Sequence, residues 1–509
     1  MDVTQILMLI TILVYLAAMV GIGAVLAKQN QTTDDFYLGG RTLGPLVTAM
    51  SAEASDMSSW LLMGLPGVAY LSGTADAAWT AIGLAIGTYV NWLVVAKRLR
   101  NYTHACGNST TLPLFFSNRY RDNKRILSVI AALLIIIFFV PYTASGFAAC
   151  GKLFANLFGM DYLPAMLISA IVIVAYTTLG GFLAASTTDF VQSIVMTIAI
   201  VVVFGFGISK VGSFQAVIDN AKSMAGYFSL THTHDVATAT ASPYSLLQIF
   251  STLAWGLGYF GMPHVLLRFM AIGDANKLKL SRRVATVWVV ISMAVSVFIG
   301  VIGNAMTKAG VLPTLKDPET IILVVADLIS KHGVLATIIA GLILAGILAA
   351  TMSTADSQLL AASSSASQNI LKEVFMKDMS EKTGMLIARI TVLVIALIGV
   401  FIARNPDSSV FQIVSFAWAG FGASFGPLVL LALFWKRSTF QGALCGMISG
   451  GIMVFVWKFL IRPMGGALGI YELLPAFLLG LAVNVIVSLL TPAPSKEVLD
   501  EFDKVASMK

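Results

Sequence analysis

About thirteen runs of roughly 20 mostly apolar residues fill this chain, and a run of that length is what a helix needs to cross a bilayer. They lie near, with roughly set bounds, 5–27, 44–72, 75–96, 125–151, 160–180, 187–209, 244–267, 284–307, 333–370, 384–403, 410–435, 440–461 and 470–491. Water is absent at that depth, so each run must satisfy its backbone internally and pack against its neighbours. Of the 509 residues, 58% are hydrophobic and 11% charged. A soluble domain carries about 25% charged residues. The sequence therefore predicts an all-α polytopic protein. It forms a single transmembrane domain over 1–492 and a short, polar cytoplasmic tail over 493–509. Met1–Lys28 has Asp2 rather than a basic residue at its start, which reads as a retained first helix and not as a cleaved leader.

The formal net charge of +7 raises the question of nucleic acid. The placement of the charges answers it differently. Lys97, Arg98, Arg100, Arg119, Arg121, Lys124 and Arg125 fall in one loop. Arg268, Lys277, Lys279, Arg282 and Arg283 fall in another, then Lys372, Lys377 and Lys382, then Lys436 and Arg437. These loops alternate, so the basic residues collect on one side. The positive-inside rule makes that side cytoplasmic, with the N-terminus outside and the C-terminus inside. Membrane lipid is the expected surrounding partner, nucleic acid is not, and oligomeric state stays open. Cys106, Cys150 and Cys445 show no paired spacing and read as small apolar residues. His232, His234 and Asp235 lie in the long exterior loop 210–243 and read as loop polarity rather than a metal site.

A charge at mid-bilayer costs about 2.5–3.5 kcal/mol on insertion scales, so intramembrane carboxylates are functional candidates. Glu53 and Asp56 lie in the second span, Asp189 in the sixth and Asp356 in the ninth. The second span reads Ala52-Glu53-Ala54-Ser55-Asp56-Met57-Ser58-Ser59-Trp60, then Gly64, Pro66 and Gly67. Small residues and competing hydroxyls predict unwound backbone over 54–58, whose carbonyls can replace water around a cation. The ninth span carries Thr351, Ser353, Thr354, Asp356, Ser357 and Gln358 close together. Ala350, Ser353 and Thr354 share one helix face. Hydroxyls and carbonyls suit a hard, singly charged cation better than Mg²⁺. In the seventh span Trp255, Tyr259 and Pro263 recur every four residues among glycines, a wall for a small apolar ring with a kink at the proline. Tyr142 follows Pro141 in the fourth span, and Trp418, Phe421 and Phe425 suggest a lid in the eleventh. No nucleophile–base pair, HExxH or phosphate loop is present, so no enzyme is expected. Two other readings stand beside transport of an amino acid: a membrane sensor, which needs a signalling domain that the short tail does not supply, and a symporter of another small carboxylate or zwitterion, coupled to sodium or to protons.

Several motifs then converge on one likeness. They are Leu38-Gly39-Gly40-Arg41-Thr42-Leu43-Gly44-Pro45, Ser55-Asp56-Met57-Ser58, Trp60–Gly67, Gly180–Ala184 with Thr188–Gln192, Trp255–His264 with Arg268-Phe269-Met270, Met352-Ser353-Thr354, and Gly442-Ala443 with Gly446. Together they resemble the sodium/solute symporter family and, within it, the bacterial sodium/proline symporters. The resemblance implies a LeuT-type core of two inverted five-helix repeats, at about 44–210 and 244–435 by the span positions above, in a bacterial inner membrane. It implies sodium as the coupling ion, with no other cofactor or metal, and L-proline uptake by alternating access. Sodium would meet Ala54, Met57, Ala350, Ser353 and Thr354, with Asp56 beside it. Proline would meet Ser58, Tyr142, Trp255, Tyr259 and Pro263. Asp189 and Arg41 match positions tied to the sodium pathway and to coupling. Glu53 and Ser59 stand where that family carries small residues, Met262 where it carries a polar one, and Asp356 is an extra carboxylate. Glu53, one turn before Asp56, is expected to be protonated or to take a second cation or a proton.

Overall fold

The computed structural model describes residues 2–28, 32–376, 378–405 and 409–508. Lys377, one of the basic loop residues above, lies outside them. The chain runs α1 (Val3–Ala27), a short α2 (Thr33–Leu38), α3 (Pro45–Ser59), α4 (Leu65–Ser72), α5 (Thr74–Val90), α6 (Ala96–Ala105) and α7 (Leu112–Arg119). Then come α8 (Ile126–Phe158), α9 (Tyr162–Val211), α10 (Phe214–Ser223) and a hairpin of β1 (His232–Asp235) and β2 (Thr240–Pro243). The second half holds α11 (Leu246–Leu253), α12 (Pro263–Ala271), α13 (Leu278–Lys308), α14 (Ile321–Ser330), α15 (Val334–Ser364) and α16 (Glu381–Ala403). It ends with α17 (Val410–Phe434), α18 (Phe440–Val456), α19 (Leu473–Leu490) and α20 (Lys496–Ser507).

Among the described residues ten helical stretches are long and apolar enough to cross a membrane, and Tyr162–Ala175 is a shorter apolar helix. Two further passages, 45–72 and 246–271, cross as broken helices. Thirteen crossings result, matching the number read from the sequence. Outward faces carry Leu13, Val14, Ile171, Leu397 and Phe401, more than half exposed, as a lipid-facing surface requires. Inward faces are small. A Cβ added at Gly87 or Gly256 would collide with the other's backbone or its neighbour's, so α5 and the 254–261 segment meet almost backbone to backbone.

Several local expectations are corrected. The fifth and sixth spans have no loop between them. One helical run, Tyr162–Val211, holds both and is kinked at Gly181 (φ 63°, ψ −172°), where the positive φ suits glycine. The fourth span runs on to Phe158 with Pro141 inside it. The unwound stretch expected over 54–58 narrows to one residue: Ser58 stands at φ 49°, ψ −172°, and the residues before it stay helical. The four-residue stripe through Trp255, Tyr259 and Pro263 does not form. Ala254–Gly261 is a 3₁₀ helix with three residues per turn, and Pro263 starts α12 instead of kinking a helix interior.

Loop 210–243 is largely built: α10 and the hairpin occupy it, and His234 bonds the Ala225 carbonyl at 2.8 Å and packs edge-on against Tyr227. The polar tail is also ordered. Along α20, Val498, Phe502 and Val505 form a buried stripe. Arg98 and Arg119 stack on Phe502 at 4.9 and 5.3 Å, and Arg121 pairs with Glu497 and Glu501 at 3.1 and 2.8 Å. The reading of 493–509 as a polar tail passed over that apolar stripe, and the basic surface that receives it comes from α6, α7 and the turn after α7.

Candidate ion and solute site

A helix that stops leaves its last carbonyls without amide partners. In α3 those belong to the turn Ala54–Met57, and other elements satisfy them. Ser353 Oγ donates to the Ala54 carbonyl at 2.8 Å, and the Tyr142 hydroxyl donates to the Asp56 carbonyl at 3.1 Å. The Met57 carbonyl accepts the Trp60 amide, and that amide is also 3.1 Å from Ser58 Oγ. Across from this turn, Ser353 Oγ and Thr354 Oγ1 both reach the Ala350 carbonyl, at 3.2 and 3.1 Å. Ala54, Ala350, Ser353 and Thr354 are all buried. Four oxygens from two helices thus converge in one dry place. Hydroxyls that now donate to carbonyls can turn their lone pairs toward a cation, so the donor set fits sodium. Met57 stands apart: its carbonyl is spent in the turn, and its side chain faces the neighbouring cavity.

That cavity lies beside the break and is nearly filled by its own side chains, with a free volume of about 10 Å³. Asp56, Met57, Trp60, Leu84, Tyr142, Trp255, Val414 and Trp418 line it. Trp255 stacks on Tyr471 at 5.0 Å and lies 5.5 Å from Trp60, and Trp418 Nε1 donates to the Trp255 carbonyl at 2.7 Å. Phe411 stacks on Trp60 at 5.9 Å and lies 5.6 Å from Trp255, covering the rings. Its amide is held by Glu319 at 3.0 Å, and Glu319 pairs with Lys152 at 2.9 Å. A second hollow, lined by Ser58, Ser59, Tyr142, Thr143, Ser145, Thr351, Thr354 and Gln358, adjoins the first at Tyr142.

Tyr259 donates to Asp56 Oδ2 at 2.6 Å, while Asp56 Oδ1 is buried and has no hydrogen-bond partner among the described residues. Glu53 accepts from Trp92 Nε1 at 2.8 Å. Asp189 and Asp356 belong to a different cluster. Arg268 Nη2 lies 3.1 Å from Asp189 Oδ2, Ser51 Oγ donates to the same oxygen at 2.7 Å, and Ser357 Oγ donates to Asp356 at 3.1 Å. Arg268 also reaches Ser51 and Ser357, so the guanidinium ties α3, α9 and α15 together. Arg41 sits apart from both, donating to the Met270 and Ser109 carbonyls at 2.5 and 2.8 Å. Burial and the nearby Arg100 lower its pKa to about 10.

Of the expected solute residues, Tyr142 and Trp255 line the cavity, Tyr259 braces Asp56, and Ser58 lines the adjoining hollow. Pro263 is buried at the start of α12, outside the lining of both hollows. The sequence reading missed Trp60, Leu84, Val414 and Arg268. Trp60 and Arg268 stood inside the quoted motifs as the large side chains next to small or apolar ones. Leu84 and Val414 carried no signal beyond hydrophobicity. Trp418 joins the cavity as its span suggested, but Phe421 and Phe425 pack instead against Phe139 and Phe116.

The sequence profile of the sodium:solute symporter family matches residues 36–450. The chain belongs to the sodium:solute symporter family. Relatives span nearly the whole length. The osmoregulated proline transporter OpuE of Bacillus subtilis is 40% identical, covering 96% of each chain. The sodium/proline symporter of Haemophilus influenzae is 41% identical over 97% of each. That of Escherichia coli is 41% identical, covering 97% of this chain and 95% of its own. Among solved structures, a Na⁺-coupled sialic acid symporter in a substrate-bound, outward-open state superposes with TM-score 0.79 at 20% identity, covering 96% of this chain and 99% of that one. The nucleobase-cation-symport-1 transporter Mhp1, closed on bromovinylhydantoin, gives 0.51 at 13% identity, covering 92% and 98%. These likenesses show the fold: a multi-pass membrane protein, helical but for the one described hairpin, with a LeuT-type core. As a family member, the symporter moves a solute with sodium and is not an enzyme.

Proposed function

We propose that the symporter couples inward sodium flow to uptake of L-proline. The observation that carries this is the junction at the α3 break, where one short turn touches two sites. On one side the Ala54 carbonyl meets Ser353, and on the other Asp56 borders the aromatic cavity. Sodium is assigned to Ala54, Ala350, Ser353 and Thr354, with Met57 and Asp56 alongside. Proline is assigned to the hollow beside Ser58, Tyr142, Trp255 and Tyr259, with Trp60 and Trp418 as added walls. The free Asp56 Oδ1 suits the amino group of a zwitterion, and the rings suit a pyrrolidine. Pro263 then acts through the turn that places Tyr259, without contact. The curated relatives named above support the choice of proline.

Coupling follows from the shared turn. An ion between α3 and α15 fixes Asp56 relative to the cavity, so each ligand favours the state that completes the other's site. A charge falling through 100 mV releases about 2.3 kcal/mol, enough for roughly fiftyfold accumulation of a neutral zwitterion. The proposed repeats, about 44–210 and 244–435 by span positions, begin with the two broken passages. The basic loops argue for an N-terminus outside and a cytoplasmic C-terminus, and the bacterial relatives argue for a bacterial inner membrane. Glu53, Asp189, Asp356 and Arg41 are assigned accessory roles in coupling.

Labelled proline uptake into proteoliposomes, with sodium or proton gradients imposed in turn, tests the reading. Uptake that follows the sodium gradient and is competed by unlabelled proline supports it. Uptake indifferent to sodium, or displaced better by another small carboxylate than by proline, removes it.

A further inference from the structure

Between α9 and α13 lies a groove of about 460 Å³, within the range of small-molecule sites. Its walls are Ile200, Val201, Val284, Val287 and Ile291, and its floor is Met50 of α3. Trp288 Nε1 donates to Thr197 Oγ1 at 2.9 Å and bridges the two helices across the groove. The rim residues Val201, Val287 and Ile291 are each more than half exposed. An apolar groove with exposed rim residues on a membrane bundle suits an acyl chain.

Its end is charged. The hydrocarbon stem of Arg283 lines the otherwise apolar groove, and Lys279, outside the lining, lies one helical turn earlier on the same face. Both are exposed, and among the described residues neither has a carboxylate within ion-pair distance. Basic residues at the mouth of an inter-helix pocket on the cytoplasmic side are a lipid-headgroup signature.

We propose that this groove binds one anionic phospholipid, with its phosphate at Arg283 and Lys279 and its acyl chain over Met50. Met50 is one turn before Ala54 and beside Ser51, which bonds Asp189 and Arg268. The lipid thus rests on the helix whose end forms the candidate ion site.

The test is lipid retention rather than transport, so it is independent of the substrate assignment. Purified full-length protein is titrated with phosphatidylglycerol and with phosphatidylcholine of the same acyl chains, and bound lipid is counted by native mass spectrometry. Wild type should retain phosphatidylglycerol preferentially. Arg283→Gln and Lys279→Gln should each lower that retention about fivefold, about 1 kcal/mol per basic residue. Val287→Trp, filling the groove, should lower retention of both lipids, with unchanged far-UV dichroism and melting as the folding control. Equal retention of the two lipids by wild type would falsify the proposal. So would retention unaffected by the two surface substitutions, which need no repacking to be read.

Discussion

The chain breaks two membrane-crossing helices, and it does so by opposite chemistry. At Ser58 the break is polar and narrow: one residue leaves helical geometry, and carboxylates and hydroxyls surround it. At Ala254–Gly261 the break is apolar and long: eight residues tighten into a 3₁₀ helix of glycines and aromatic rings. The first frees carbonyls that serine and tyrosine side chains then satisfy. The second keeps its hydrogen bonds in tighter turns and uses its glycines for close approach, Gly256 to Gly83 and Gly258 to the Trp418 ring. A polar break can bind; an apolar break can shape. The two meet where Tyr259 of the second donates to Asp56 of the first.

That contrast can be broken at several points. The largest effect belongs to Asp56→Ala, which removes the carboxylate joining the two breaks and strands the Tyr259 hydroxyl. Losing a hydrogen bond to a charged group costs up to about 3 kcal/mol, so sodium-dependent proline uptake should fall about a hundredfold. Normal uptake at low sodium would refute the assignment. Next, Gly258→Val drives a side chain into the Trp418 indole, where a Cβ alone already collides. Overpacking of this kind costs about 1–3 kcal/mol and should appear as a lowered melting temperature in detergent.

The backbone at Ser58 gives a paired measurement. Its φ of 49° with extended ψ is nearly confined to glycine, at a strain of about 1–3 kcal/mol. Ser58→Gly and Ser58→Ala lose the same hydroxyl, but only glycine relieves the strain. The glycine variant should be the more stable of the two by about 1–2 kcal/mol in thermal unfolding. Equal melting points would mean that the break is not held at Ser58. Thr354→Ala should weaken the sodium response of uptake about tenfold, one lost oxygen ligand at about 1.4 kcal/mol. Smallest is Pro263→Ala. A proline at the first helical position only pre-sets φ, so stability should change by less than about 1 kcal/mol. A loss of several kcal/mol would restore the interior kink that the sequence suggested.

Much of the site was legible because its residues are expensive in lipid. Carboxylates at 53, 56, 189 and 356 and the hydroxyl run at 351–358 contrast with their surroundings. The grouping was less legible. Asp189 pairs with Arg268, which reaches Asp356 through Ser357, whereas Asp56 shares Tyr259 with the cavity. Nothing in linear spacing separates those two clusters, since each draws on helices far apart in sequence. Similarly, Gly181 adopts nearly the same backbone angles as Ser58, and nothing in the sequence marked either position as the break.

By itself the sequence determined the solvent in which this protein lives, the number of crossings and the helices that carry polar atoms. Those properties depend on composition over about 20 residues, which any segment reports locally. Only the tertiary structure decided where each helix breaks, which carbonyls lose their own amides and which distant side chains replace them. An orphaned carbonyl in a bilayer has no water to turn to, so its partner must come from another helix, and helix neighbours are set by packing of the whole bundle.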